Sequence, residues 1–400
     1  MNVGISNFRT PQSILFGRGA FEKIGEEATC RGKNALIVSD KVMERLGYVN
    51  KCVDRLAVHG VRTKVYLGVD SEPTDHHVAE ALELIKQEKC DLLISLGGGS
   101  CIDTAKAVSV LAANGGRIND YAGAWGKFAI KPPIPHIAVP TTAGTGSEAT
   151  DVTVITIVST DVKLMVKQPA FMPTAAIVDP LLTISSPKHI TAATGVDALS
   201  HAVEAYLSKK ANPMSDTLAL SAMKHIAANL YQAYNDGENL VAREAMSLGA
   251  LQAGMAFSNA SVCLVHGMSR PIGALFHVPH GYSNAMLLPA VLEFSKNHCV
   301  DRLADLGRFF APDKRELSNE ALAYFAVESV KGLCDVLNIP NLKGWGIDRG
   351  KFAASISKMA QDALDSGSPA NNPIEPTKHE IEDLYRICYD YDFSVKKHAY

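Results

Sequence analysis

The 400-residue chain is poor in the features that mark a special environment. Its eight cysteines, Cys30, Cys52, Cys90, Cys101, Cys263, Cys299, Cys334 and Cys388, form no CxxC pair. That excludes zinc-ribbon and thioredoxin-like spacings and argues against a disulfide framework, so reduced thiols in a cytoplasm are expected. There is no lysine- or arginine-rich run and the formal net charge is −3, so no nucleic-acid surface is expected. No apolar stretch reaches the roughly 20 residues of a membrane-spanning helix. The opening MNVGISNFRTPQ lacks the charged-then-apolar layout of a secretory signal. No internal repeat and no low-complexity tail stands out. What is present is ordinary for a well-buried globular protein, 47% hydrophobic and 20% charged, in a chain too long for one core, so two domains are expected.

The first half alternates short apolar runs with helical patterns. NALIVSD (34–40), RTKVYLG (62–68), DLLISLGGG (91–99), the start of HIAVPTTAGTGSE (136–148) and AAIVDP (175–180) read as strands. Between the second and third, Val78, Ala81, Leu82 and Ile85 recur at helical spacing. Continuously apolar strands separated by helices predict a parallel sheet covered on both faces. From Pro187 onward the runs 191–209, 214–234, 240–258, 318–336 and 350–365 read as helix, with Pro187 and Pro213 at helix starts. The expected organisation is an α/β domain over 1–185 and an all-helical domain over 186–400. Ligands of such open sheets bind beyond the carboxyl ends of the strands, which makes an interdomain cleft the expected active site.

Gly97, Gly98 and Gly99 follow a predicted strand and precede a helix starting near Ser100. Glycines let the backbone approach a phosphate, and a helix N-terminus supplies oriented N–H groups; a tight strand-to-helix turn would use the same residues. The spacing is neither GxGxxG nor a P-loop. Asp103, one turn on, repels anions but can accept from ribose or amide groups. Asp40 at a strand end either accepts from both adenosine ribose hydroxyls, favouring NAD over NADP, or caps the helix that follows, and the two roles are compatible. PTTAGTGSE offers a second loop whose hydroxyls, Thr141, Thr142 and Thr145 among them, can contact a pyrophosphate or nicotinamide.

Asp197 and His201 are four apart on a predicted helix and so share a face. His266 and His280 flank a turn-rich stretch, VHGMSRPIGALFHVPHG, that can fold back. One carboxylate and three imidazoles suit Zn, Fe, Co or Ni, with a position left for water or substrate. Each residue alone reads equally well as a structural group; the set of four is what points to a metal.

These motifs in this order, GGGSCIDTAK (97–106), PTTAGTGSE (140–148), GVDALSHAVEAY (195–206), VHGMSRPIGALFHVPHG (265–281) and NNPIEP (371–376), resemble the group III, iron-dependent alcohol dehydrogenases over essentially the whole chain. The resemblance implies a dinucleotide-binding α/β domain followed by a helical domain, and commonly a homodimer or larger assembly. It implies that Asp197, His201, His266 and His280 ligate Fe2+, with Zn2+ possible in its place. It implies that Asp40, Gly97, Gly98, Gly99, Ser100, Asp103, Thr141, Thr142, Thr145 and Lys163 line an NAD(H) site. The expected reaction is hydride transfer between nicotinamide and a small alcohol or aldehyde, with the metal as Lewis acid.

One position departs from the family. Where many members carry a proton-relaying His four residues after the third ligand, this chain has Arg270. An Arg cannot shuttle protons near neutral pH, but it grips paired anionic oxygens well. It therefore binds either the charged tail of an acidic aldehyde, such as sulfoacetaldehyde or succinate semialdehyde, or a cofactor phosphate or structural carboxylate. His277 is the candidate replacement relay, or a structural histidine. Phe257 and Val152 are candidate walls of the substrate pocket, with helix packing the plainer role for Phe257. Alternative functions are a general short-chain alcohol or propanediol dehydrogenase and, in another class, a dehydroquinate-synthase-like non-redox cyclase. The second is disfavoured by a ligand set unlike its Glu-His-His. An inactive NAD-binding module is disfavoured because all four ligands are present.

Overall fold

The computed structural model describes residues 5–395 apart from 124, 125, 161 and 315. The chain divides into two compact units, Arg9–Ser185 and Ser186–Tyr400, the second also taking in the segment ending at Phe8.

The first unit contains strands β1 (Ser13–Phe16), β2 (Asn34–Val38), β3 (Arg62–Tyr66), β4 (Leu92–Gly97), β5 (His136–Pro140), β6 (Val152–Ile157), β7 (Val162–Lys167) and β8 (Ala175–Val178). Its helices are α1 (Ile24–Thr29), α2 (Lys41–Arg45), α3 (Tyr48–Val58), α4 (Asp75–Gln87) and α5 (Gly99–Asn114). Six strands form one parallel sheet in the order β1-β8-β5-β4-β2-β3, and β6 and β7 form a separate antiparallel hairpin. The apolar runs are continuous because both faces are covered. Leu36, Val38 and Leu93 pack with Val78, Ala81 and Ile85 of α4 and Val108 of α5. Their alternates Ala35, Ile37, Leu92 and Ile94 pack with Ile24 of α1 and Cys52 and Leu56 of α3. From β2 the chain runs outward to β3; from β4, on the other side of β2, it runs on to β5. The strand order therefore reverses between β2 and β4, which makes their carboxyl ends the topological switch point.

The second unit contains α6 (Lys188–Leu207), α7 (Pro213–Asn235), α8 (Leu240–Ala260), α9 (Leu264–Phe276), α10 (His280–Ser295), α11 (Val300–Phe310), α12 (Asn319–Val336), α13 (Arg349–Asp365) and α14 (Lys378–Tyr389). Asn212 caps α7 with Pro213 in its first turn, and Ser318, Asp348 and Thr377 cap α12, α13 and α14. Helix α6 is buried continuously from Gly195 to Leu207. Gly195 permits this, since a Cβ there would lie 2.2 Å from Leu230 of α7.

Two expectations need correction. The turn-rich reading of 265–281 is wrong for most of its length: α9 is helical with Pro271 inside it. Gly267, Pro271 and Gly273 are poor helix formers, but Val265, Met268 and Ile272 are buried, and packing outweighs the hydrogen bond that Pro271 cannot make. Gly267 is there for close approach, because a Cβ would meet the Pro369 ring at 2.8 Å. The strand taken to end at Asp40 ends at Val38. The side chain of Asp40 caps α2 instead, accepting from the N–H groups of Val42 at 2.7 Å and Met43 at 2.9 Å.

Candidate active site

In the helical unit, α6 carries Asp197 and His201 one turn apart, α9 carries His266 in its first turn, and α10 begins with His280. One donor atom from each of the four lies within 4.8 Å of every other. Asp197, His201 and His266 are buried and His280 is partly open. Burial pushes the Asp197 carboxyl up, but the facing imidazoles of His201, His280 and His266 and the Asn284 amide outweigh it and hold the group low. Burial holds His201 down at about 3 and His266 well below the ordinary imidazole range, so both rings are neutral and able to donate lone pairs. Phe257 of α8 stacks on His201 with ring centroids 4.3 Å apart and planes at 16°.

The surroundings fit a cation. The Asn284 amide nitrogen lies 2.6 Å from Asp197 Oδ1, 3.0 Å from His266 Nε2 and 3.1 Å from His280 Nε2. Its two hydrogens cannot satisfy three acceptors. His201 Nδ1 is buried without a hydrogen-bond partner. A cluster so rich in acceptors and so short of donors is suited to a divalent ion with nitrogen and oxygen ligands.

In the α/β unit the two loops singled out from sequence lie side by side. Gly97 pairs with Pro140, and the Thr141 N–H donates to the Gly97 carbonyl at 3.0 Å. Gly98 precedes α5 in extended conformation, and a Cβ there would lie 3.8 Å from Thr142 Oγ1. A Cβ on Gly99 would meet Thr145 at 2.8 Å, so this turn needs glycine for packing whatever it binds. Ser100 lies in the first turn of α5. Asp40, after β2, keeps its second carboxylate oxygen towards the Cys101 thiol at 3.8 Å. Asp103 is bound internally: it accepts from the Ser147 hydroxyl and, at 2.8 Å, from the Val154 N–H. Lys163 pairs with Glu72 at 3.1 Å. Val152 opens β6, half-buried, with its carbonyl accepting from Lys106 at 2.7 Å.

Residues 11–180 match the family described as iron-containing alcohol dehydrogenase, and residues 191–389 match its C-terminal counterpart. The chain belongs to the iron-containing alcohol dehydrogenase family. It is 37% identical to 1,3-propanediol dehydrogenase from Citrobacter freundii over 393 residues, 97% of this chain and all of that one. Among solved structures it resembles a 1,3-propanediol oxidoreductase with a TM-score of 0.92 and 36% identity, covering 96% of this chain and all of that one. It also resembles a sulfoacetaldehyde reductase from Bifidobacterium kashiwanohense in complex with NAD+, with a TM-score of 0.85 and 27% identity, covering 98% of this chain and all of that one.

In this alcohol dehydrogenase Arg270 sits one turn beyond His266 on α9, half-buried, and donates through Nη1 to the Ser368 hydroxyl at 3.0 Å. Burial lowers its pKa to about 10, with the charge of Glu204 acting the other way. His277 ends α9 in the left-handed conformation, φ 53°, and is exposed. Sequence reasoning passed over three residues. Glu204 Oε2 lies 2.5 Å from His266 Nδ1, and Glu204 Oε1 accepts from the Val265 N–H at 2.6 Å. Asn284 faces three of the four donors. Lys106 is buried beneath the second loop and donates to Ser147 and Thr150, each at 2.8 Å. The available signal was helical spacing: Glu204 is three residues after His201, Asn284 four after His280, and Lys106 three after Asp103.

Proposed function

We propose that the protein interconverts a short primary alcohol and its aldehyde with NAD(H), and that Arg270 favours an aldehyde bearing an anionic tail. The convergence of Asp197, His201, His266 and His280 carries the first part. These four residues would hold a divalent iron, with zinc a competent substitute. Bound there, the ion would supply Lewis acidity towards the substrate oxygen, and NAD(H) would accept or give the hydride.

The chain's own residues do the rest. Gly97, Gly98 and Gly99 bring backbone N–H groups and the start of α5 within reach of a pyrophosphate. Asp40 has a carboxylate oxygen beyond those used in capping for a ribose hydroxyl, and Thr141, Thr142 and Thr145 line the neighbouring loop. Asp103 fixes that loop through Ser147, with lone pairs to spare for the cofactor. Lys163, neutralised by Glu72, borders the site. We assign cofactor binding to 1–185 and the metal and substrate to 186–400. Phe257 keeps water from one face of His201, Val152 is a wall residue on the cofactor side, and exposed His277 can exchange a proton with solvent.

Arg270 supports the anionic-tail reading because it is a partly buried cation one turn from His266. The sulfoacetaldehyde reductase among the similar structures acts on such a substrate by name. A second reading rests on Arg270's own partners. If its guanidinium serves contacts within the protein, Ser368 and the charge of Glu204 among them, the enzyme is a general short-chain or 1,3-propanediol dehydrogenase, as the 37% identical relative is named. The test compares NADH oxidation by anaerobically Fe2+-loaded wild type and Arg270→His on matched neutral and acidic aldehydes. A tenfold or greater wild-type preference for the acidic aldehyde, about 1.4 kcal/mol in the transition state, that disappears in the variant supports the anion clamp. Equal preference for neutral aldehydes in both proteins leaves Arg270 with a structural role.

A further inference from the structure

We propose that Glu204 is a positioning residue of the metal site, setting the tautomer and orientation of His266 while holding α9 to α6. The inference rests on the assignment of His266 as a ligand.

Glu204 is 3% exposed, three residues beyond His201 on α6. Its Oε2 lies 2.5 Å from His266 Nδ1 and its Oε1 accepts the Val265 N–H at 2.6 Å. Where Glu204 is ionised its carboxylate can only accept, which puts the proton of the neutral ring on Nδ1. Nε2 then presents its lone pair on the side where Asp197 Oδ1 lies 3.7 Å away. The opposite tautomer would point an N–H at that site and would leave the buried carboxylate facing a second lone pair. The same carboxylate meets a need of the backbone. Cys263, at the N-terminus of α9, makes no side-chain cap, and the first N–H groups of a helix need outside acceptors. Glu204 supplies one from the neighbouring helix, where negative charge is favoured. Asp197, His201 and Glu204 therefore share α6: two would hold the ion directly and the third aims a ligand that arrives on another helix. An outer carboxylate of this kind raises ligand basicity and metal affinity.

The test uses full-length Glu204→Gln and His280→Ala. Zn2+ and Fe2+ affinities are measured by competition with a chromophoric chelator, with the Tm of each metal-free protein recorded alongside. His280→Ala tests the ligand assignment itself: unchanged affinity there overturns the site and with it this inference. With His280→Ala weakened, Glu204→Gln is expected to lose about ten- to hundredfold in affinity. The hydrogen-bonded Nδ1 proton of His266, seen by 15N-resolved NMR of the Zn2+-loaded wild type, is expected to shift in the variant. A lower Tm with affinity within twofold of wild type would mean that Glu204 only caps α9, and would overturn the proposal. If Glu204→Gln fails to fold, Glu204→Asp is measured the same way. It keeps the charge but shortens the reach, so a loss of affinity is expected and wild-type affinity overturns the proposal.

Discussion

Replacing Lys106 with methionine removes a charge from the interior while nearly keeping the side chain's length. Lys106 Nζ spends its three hydrogens on Ser147 Oγ at 2.8 Å, Thr150 Oγ1 at 2.8 Å and the Val152 carbonyl at 2.7 Å. It also lies 3.6 Å from Asp103 Oδ1. Each acceptor belongs to the loop after β5 or the start of β6, so one side chain of α5 ties both to the sheet. Burial lowers the Lys106 pKa, with Asp103, Glu148 and Asp151 opposing, so the ammonium is partly offset by its own desolvation. Breaking a buried charged network usually costs about 3–5 kcal/mol, and that offset places Lys106→Met near the lower end, about 3 kcal/mol. For a unit of this size the corresponding fall in Tm is roughly 6–12 °C. Differential scanning calorimetry is the assay, and NADH binding is expected to weaken in parallel because Ser147 loses a partner. A Tm within about 2 °C of wild type would refute the reasoning, since it would mean that the three hydrogen bonds merely break even with desolvation.

Three further outcomes follow from other contacts. Burial holds His136 at about 3, so below the ordinary imidazole pKa the unfolded chain takes up a proton that the native protein refuses. Its contribution is intact above about pH 6.5 and is lost as pH falls from there towards 3, at up to ~1.4 kcal/mol per pH unit. Urea unfolding at pH 7, 6 and 5 should show a shallower decline for His136→Gln, and identical slopes would contradict the assignment. Gly99→Ala puts a Cβ 2.8 Å from Thr145 Cγ2, so the second loop must shift. Weaker NADH binding measured by fluorescence, with a stability loss of about 1–3 kcal/mol, is expected. Adding Zn2+ to chelator-treated protein at a hundred times its dissociation constant should stabilise it by about 2.7 kcal/mol; a Tm insensitive to metal would contradict the site.

How far the sequence foretells the structure depends on where the determining interactions lie. β2, β4, β5 and β8 were legible because both faces of the sheet are dry, which leaves unbroken apolar runs. β1 went unnoticed because Ser13–Phe16 is a four-residue edge strand. The β6–β7 hairpin was less legible because it stands apart from the sheet and Thr153 and Thr156 break its apolar run, although VTVITI alternates in burial as a one-sided strand should. Helix α9 was obscured by Gly267, Pro271 and Gly273, whose reasons are tertiary. In the candidate site, Asp197 and His201 follow from helical spacing, whereas their meeting with His266 and His280 depends on three helices and was inferred from family motifs. Glu204, Asn284 and Lys106 lay inside or beside quoted motifs. Helical spacing put each beside a named residue, but their importance comes from burial beside particular partners, which spacing alone does not record.

Hydride transfer in this protein is expected to depend on a metal held by Asp197, His201, His266 and His280. The most direct test is a single turnover under anaerobic conditions. Fe2+-loaded protein is mixed with NADH deuterated at C4, on each face in turn, and with propanal or sulfoacetaldehyde, and the product alcohol is analysed by mass spectrometry. Deuterium at the carbinol carbon from one face only, abolished by chelation and by His201→Ala, is the predicted result. Product without deuterium, or undiminished transfer after chelation, would contradict the account.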